Sequence, residues 1–380
     1  MKVVVATDSF KGCMTSLEAG NCIKEAIEES CDASVEVFPL ADGGEGTVEA
    51  LMSCMHGVEV PVMVTGPLGE KVESVYGMVE SERLAVMEMA NVAGITMVSE
   101  RSKNPMNTTT YGVGEMILDA AAKGLREFVI GIGGSATNDG GLGMLTALGV
   151  DFYTQDGSKA GIFGRDLMTV RSIDITNLAP VLKECHFTIM CDVTNPLCGP
   201  LGSSAIYGPQ KGASDKVIAL MDQGLEWYAE VIRKVVQKDC AHMEGAGAAG
   251  GLGYAFLTFL NTTLQPGISF LLDKLELENK MEDADIVITG EGRLDAQTAM
   301  GKAPAGVAAM AKKHGAMVIA FTGATSEDAE ACNKAGMDAY FSICRGPMSI
   351  EEAMKKETAC ENIHLTVKQV FRLITQLKRQ

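Results

Sequence analysis

Positive charge is scarce in this chain of 380 residues. Lysine and arginine number 32 against 49 aspartates and glutamates, a formal net charge of −17. That balance argues against nucleic acid and anionic membrane surfaces as partners. An anionic substrate would therefore need a locally basic pocket. Metal-type spacing is also missing. The five histidines (His56, His186, His242, His314, His364) are scattered, which argues against zinc. The 11 cysteines include no Cys-x-x-Cys pair, and no signal-peptide pattern precedes the first strand-like run. A reduced, cytoplasmic protein is expected, its cysteines mostly small core residues. The longest uncharged stretch, 245–272, carries Asn261, Thr262, Thr263, Gln265 and Pro266 near its middle, which would be costly in hydrocarbon. It reads as a buried Gly/Ala-rich helix followed by a loop, not a membrane span. A P-loop is lacking as well. Gly301-Lys302 has Ala296 where the leading glycine belongs and Ala303 where Ser/Thr belongs. A kinase of this sequence would be neither a P-loop enzyme nor a protein kinase.

What the chain does have is glycine at strand ends. The stretch 128–143, FVIGIGGSATNDGGLG, is an apolar run that breaks into Gly131, Gly133, Gly134, Gly140, Gly141 and Gly143 around Ser135, Thr137, Asn138 and Asp139. Such a loop brings backbone N–H groups close to a ligand, and those donors suit an anion such as phosphate. Four other segments share the format. They are Asp8-Ser9-Phe10-Lys11-Gly12, the run 40–47 with Asp42 and Glu45, the run 191–196 with Asp192, and the run 289–302 with Gly290, Glu291, Gly292, Arg293 and Asp295. Each has a plainer reading. Asp8 and Asp42 could be helix N-caps, Lys11 a solvated lysine, and 192–195 an Asx-turn before Pro196. Loops at the ends of parallel strands open onto one crevice, so the five could converge. Their carboxylates could hold Mg²⁺ or accept a hydroxyl proton, and their cations could neutralise a transferring phosphate.

The layout is α/β. Strands at 2–7 and 34–40 flank a helix at 15–29, with Thr15 as N-cap and Glu18 three residues on, a βαβ unit that predicts a parallel sheet. Residues 285–343 repeat that style, and a final helix starts near 362. Between them, 58–64, 72–79 and 84–89 read as antiparallel strands. The expected fold is a doubly wound, mostly parallel α/β domain (1–60 and 281–380) interrupted by an inserted mixed α/β domain (61–280). GGLGM at 140–144 is echoed by GGLGY at 250–254, too briefly to count as a repeat.

DSFKG (8–12), PLADGGEGT (39–47), GIGGSATNDGG (131–141), CDVTNPLCGPLG (191–202), YGPQKGA (207–213) and TGEGRLDAQTAMGK (289–302) together resemble the type I glycerate kinases, in the family's order and over nearly the whole chain. The resemblance implies ATP-dependent phosphorylation of D-glycerate with Mg²⁺, usually to 2-phosphoglycerate, at a site between two α/β domains. On that reading the candidates for catalysis are Asp192, Asp295 and Lys11. Those for substrate binding are Ser9, Asp42, Arg293 and Asn138. Gly133, Gly134, Ser135, Gly290 and Gly292 are taken for the nucleotide, and Asp42, Glu45 and Asp192 for the metal. Expected partners are the small molecules D-glycerate and ATP, with a homodimer left open. Three alternatives remain at this point: 3-phosphoglycerate as product; an NAD-linked oxidoreductase of a small hydroxy acid, from the relaxed fingerprint Gly131-x-Gly133-x-x-Ala136; and a non-catalytic sensor of a sugar acid.

Overall fold

A computed structural model describes residues 1–41 and 43–378. The chain divides into two compact units. The first comprises Met1–Asp42, Glu49–Cys54 and Ile268–Gln380, and the second Gly43–Val48 and Met55–Gly267.

The first unit is built on a five-stranded sheet in the order Ala339–Ser342, Met317–Thr325, Ile286–Leu294, Lys2–Val5, Ser34–Val37, and every neighbouring pair is parallel. Apolar runs such as Val3-Val4-Val5 and Ile286-Val287-Ile288 are buried on both faces, as helix-covered parallel strands require. On one face Val3, Val5, Ile286, Ile288 and Phe321 pack with Ile23 and Ile27 of the helix Ser16–Glu28 and with Ile363, Val367 and Phe371 of the helix Lys356–Leu377. The first helix starts as expected. Thr15 accepts from the Glu18 N–H while Glu18 accepts from the Thr15 N–H. The last helix begins at Lys356 rather than near 362. The strand order reverses between Lys2–Val5 and Ile286–Leu294, and at such a switch point a crevice opens beyond the carboxyl ends.

The second unit holds a six-stranded mixed sheet: Thr262–Gln265, His186–Met190, Glu127–Gly131, Leu84–Glu88, Lys71–Val79, Val58–Thr65. The first four strands run parallel, and the last two join as antiparallel neighbours. The sheet packs with the helices Tyr111–Ala122, Asp215–Val236 and Ala248–Phe259 around a core that includes Phe128, Phe187, Tyr228 and Phe256.

Two expectations are corrected. Residues 245–272 do not end in a loop. The helix Ala248–Phe259 leads to the strand Thr262–Gln265 and then to the helix Gly267–Lys274. The polar side chains that masked the strand suit its place at the sheet edge, beside His186–Met190 alone. The cysteines are not uniformly reduced core residues either. Cys22 and Cys360 form a disulfide, because the helices that carry them pack side by side, and of the nine free cysteines only Cys185, Cys240 and Cys332 are buried. No helix among the described residues is long and apolar enough to cross a membrane.

Candidate active site

In the first unit, the loops leaving the two switch-point strands line one cavity of about 770 Å³. Asp8, Ser9 and Lys11 follow Lys2–Val5, whereas Glu291, Arg293 and Asp295 lie at the far end of Ile286–Leu294 and just beyond it. The two loops are tied by backbone: the Asp8 N–H donates to the Gly290 carbonyl at 2.9 Å. The reason for glycine at 290 is steric. A Cβ there would sit 2.0 Å from the Phe321 carbonyl oxygen of the adjacent strand. Gly292 has no such neighbour, since a Cβ would come only within 3.7 Å of Lys11 N and Phe10 Cα.

Charges of both signs meet in this cavity. Arg293 and Lys11 are exposed, and Lys302 Nζ lies 3.8 Å from Asp295 Oδ1. Asp295 Oδ1 also accepts from Thr298 N at 3.1 Å, so the carboxylate is held by its own turn. Glu291 is buried and accepts from Thr298 Oγ1 at 2.5 Å. Burial pushes its carboxyl above the usual range, opposed by the Thr298 bond and by Lys302 and Lys11. Asp8 is buried and accepts from the Ser9 N–H at 2.6 Å. It caps no helix, since the next one starts at Ser16.

In the second unit, adjacent parallel strands bring three more segments to one sheet end. The glycine loop follows Glu127–Gly131, and Asp192 follows His186–Met190, two strands paired as Gly131 with Met190. The segment 43–48 lies against both. A Cβ on Gly131 would meet the Gly43 carbonyl oxygen at 2.2 Å, and one on Gly43 would meet Met190 Cβ at 2.9 Å. Asp192 is exposed and accepts from the Gly267 N–H at 2.9 Å with one oxygen. Glu45 is exposed. Asp42 lies outside the described residues. Among the described residues no three histidine, cysteine, aspartate or glutamate side chains cluster as a metal-holding group.

Within the glycine loop, Gly133 and Gly134 are exposed, and Gly134 is left-handed at φ +71°. Asn138, by contrast, is 1 % exposed; its Nδ2 donates to Ser204 Oγ and its Oδ1 accepts from Ser203 Oγ. That leaves it bracing the loop from inside. Asp139 is buried too, accepting from Thr110 N, Thr110 Oγ1, Gly141 N and Gly143 N. The helix after the loop starts only at Leu142, so the dinucleotide fingerprint lacks its helix N-terminus. The second glycine run, 245–251, is a bed for the first. A Cβ on Gly250 would meet the Thr137 carbonyl oxygen at 2.1 Å, and Gly140 N donates to the Gly250 carbonyl. The echo of GGLGM in GGLGY thus has a physical meaning: Gly140–Gly141 and Gly250–Gly251 are both left-handed pairs leading into helical turns, packed on each other.

Two buried charges were not singled out from sequence. Glu88, at the end of its strand, accepts from Val48 N at 2.7 Å, and burial pushes its carboxyl up to about 7. Lys211 is 3 % exposed and donates to Ser135 Oγ and the Thr137 carbonyl. In sequence Lys211 stands within the motif YGPQKGA (207–213), which by itself gives it no role.

The profile of the glycerate kinase family matches residues 3–375. The chain belongs to the glycerate kinase family. It is 44% identical over 356 residues to a glycerate 2-kinase of Escherichia coli (strain K12), covering 93% of each chain. It is 42% identical over 371 residues to a glycerate kinase of Bacillus subtilis (strain 168), covering 97% of each. The crystal structure of a glycerate kinase 2 candidate from Salmonella typhimurium LT2 has the same fold, with a TM-score of 0.88 and 42% identity over all of both chains. Membership of the glycerate kinase family makes this chain an enzyme, a kinase, and sets aside the oxidoreductase and sensor readings.

Proposed function

We propose that the enzyme transfers the γ-phosphoryl group of ATP to D-glycerate, giving 2-phosphoglycerate, in the cytoplasm. The observation that carries the reading is the charged cavity at the switch point of the first unit, where Lys11, Arg293 and Lys302 stand beside Asp295 and Glu291. In a chain of net charge −17, three cations around one cavity supply the local field that a carboxylate and a polyphosphate need. The printed names of the relatives, glycerate 2-kinase and glycerate kinase, support the substrate. Nine of the 11 cysteines are free, which suits a reducing compartment, although the Cys22–Cys360 bridge would have to form against it.

The roles follow from chemistry. Arg293 suits the glycerate carboxylate because its planar fork can donate two parallel hydrogen bonds, and Lys11 suits phosphate as a compact charge. Ser9 adds a hydroxyl to the same wall. Gly292 lets the backbone approach the ligand, whereas Gly290 is buried against the Phe321 carbonyl and lines no part of the cavity. Gly134 and Ser135 present amide donors to phosphate, while the Gly133 amide is spent on the Gly43 carbonyl. Asn138 enters this reading as the brace of that loop. A glycerate hydroxyl is a poor nucleophile, and Asp192 or Asp295 takes its proton, an effect worth about 10²–10⁴-fold. Mg²⁺ needs only one or two carboxylates besides the phosphates, so two exposed carboxylates at one sheet end fit it. Glu45 and Asp192, with Asp42, would hold it, and it would offset charge on the phosphates.

The test is a coupled ADP-release assay with D-glycerate and Mg-ATP, with phosphorus NMR of the product. ADP release only with D-glycerate, and a 2-phospho product, are expected. A 3-phospho product would overturn the regiochemistry, and no turnover would overturn the reading. Asp192→Asn and Asp295→Asn should separate the base, one of them losing about 10²–10⁴-fold in kcat. Near-normal turnover in both, with folding intact, would remove the assignment.

A further inference from the structure

Lys211 is a lysine where a lysine is costly. Its ammonium has three donors. Two go to Ser135 Oγ at 2.8 Å and to the Thr137 carbonyl at 2.5 Å, and no carboxylate among the described residues lies within ion-pair distance. A buried charge without a partner costs several kcal/mol. The short turn Pro209–Lys211 holds it there, locked by the left-handed Gly212, where a Cβ would meet the Lys103 carbonyl oxygen at 2.4 Å.

The geometry above Lys211 is that of an unfilled set of donors. Because Ser135 Oγ accepts from the ammonium, its own hydroxyl proton is left to donate elsewhere. The amides of Gly134 and Ser135 have no hydrogen-bond partner among the described residues, while their neighbours are engaged: Gly133 N donates to the Gly43 carbonyl and Ala136 N to the Ala93 carbonyl. The turn at Gly134 is exposed and left-handed, a conformation in which successive N–H groups make anion-binding concavities.

We infer that Lys211 is a positioning residue: through Ser135 Oγ it supplies the positive charge of a phosphate-class oxyanion site formed by the Ser135 hydroxyl and the amides of Gly134 and Ser135. The inference rests on reading the glycine loop as a phosphate-holding element, and it adds proton linkage to that reading. Burial pushes the Lys211 ammonium down to about 7, opposed by the field of Asp139. The other charged and titratable groups on the elements packed here include Lys103, paired with Glu100, and the Tyr207 and Tyr228 hydroxyls, both of which burial pushes up. An anion on the turn adds a second opposite charge to the field of Asp139, which lies beyond ion-pair distance. Lys211 is charged below about pH 7 and neutral above it, so anion affinity is full below that pH and falls above it.

The probe is sulfate, which stays a dianion across the range, titrated into the full chain at several pH values while the backbone amides are followed by NMR. Gly134 and Ser135 should shift on binding, and the apparent Kd should weaken by up to about tenfold per pH unit above 7. Lys211→Met should weaken binding roughly tenfold and flatten the pH profile. Ser135→Ala keeps the lysine and should flatten it too, which a purely structural lysine would not cause; it decides the matter if Lys211→Met fails to fold. Silent amides at 134–135, or a pH slope kept by Ser135→Ala, would overturn the inference. Turnover with Mg-ATP and D-glycerate, measured on the same samples, separates the two readings. A sulfate response without turnover supports the oxyanion site and sinks the kinase chemistry, whereas turnover with silent amides does the reverse.

Discussion

Arg293 and Lys11 reach one cavity from two strands that lie side by side, and their side chains differ in what they can grip. Arg293→Lys keeps the charge and loses the fork. If Arg293 holds the glycerate carboxylate, steady-state kinetics should show the glycerate KM rising roughly tenfold while the ATP KM moves little. The opposite pattern would hand Arg293 to the nucleotide. Glu88 makes a different prediction, about stability. Its carboxyl is raised to about 7 in the fold from an ordinary value of 4.5, so it favours the folded state below pH 4.5 and loses that contribution as pH rises to about 7. The swing is at most about 3 kcal/mol. Glu88→Gln keeps an acceptor for Val48 N, and its urea-unfolding curves should change less between pH 4.5 and 7.5 than those of the wild type. Equal pH dependence would mean that Glu88 is not the titrating group. Sequence gave no hint of Glu88, because a lone glutamate at a strand end looks like any solvated one until its neighbours are known.

Elements were legible where their pattern is local. The βαβ start, the Thr15–Glu18 cap and the glycine loop at a strand end all follow from adjacent residues. The edge strand Thr262–Gln265 was hidden, since its signal is a partner strand far back in the chain and not its own polar composition. The paired glycine turns were hidden for the same reason: GGLG appears twice, but only the packing of Gly250 on Thr137 and Gly140 gives the echo its use. That packing can be weighed. Gly157 is also left-handed, but a Cβ there meets nothing within 4 Å, so Gly157→Ala should cost about 1–2 kcal/mol, the backbone strain alone. Gly250→Ala brings a Cβ to within 2.1 Å of the Thr137 carbonyl oxygen and should cost more, about 2–4 kcal/mol in denaturant unfolding. Equal costs for the two variants would show that the turns can part without penalty.

The whole molecule is closed nearly end to end by a single covalent link. Cys22 and Cys360 are separated by 338 positions, and a cross-link of that span restricts the unfolded chain strongly, by on the order of 5 kcal/mol in the loop-entropy account. Reductant should therefore lower the thermal midpoint of the wild type and leave that of a Cys22→Ala, Cys360→Ala variant unchanged. Identical midpoints with and without reductant would show that the bridge does not form in solution.

The sheet of the first unit also sets an order of events on the ribosome. The strand Lys2–Val5 is synthesised first, yet Val5 pairs on one side with Ile288. At roughly 5–20 residues per second, that partner emerges on the order of tens of seconds later. Met55–Gly267, the bulk of the second unit, is complete before then. The apolar Val3-Val4-Val5 edge must wait through that interval with one side bare, so a nascent chain cut short before Ile286 carries an orphaned strand that invites pairing with other chains.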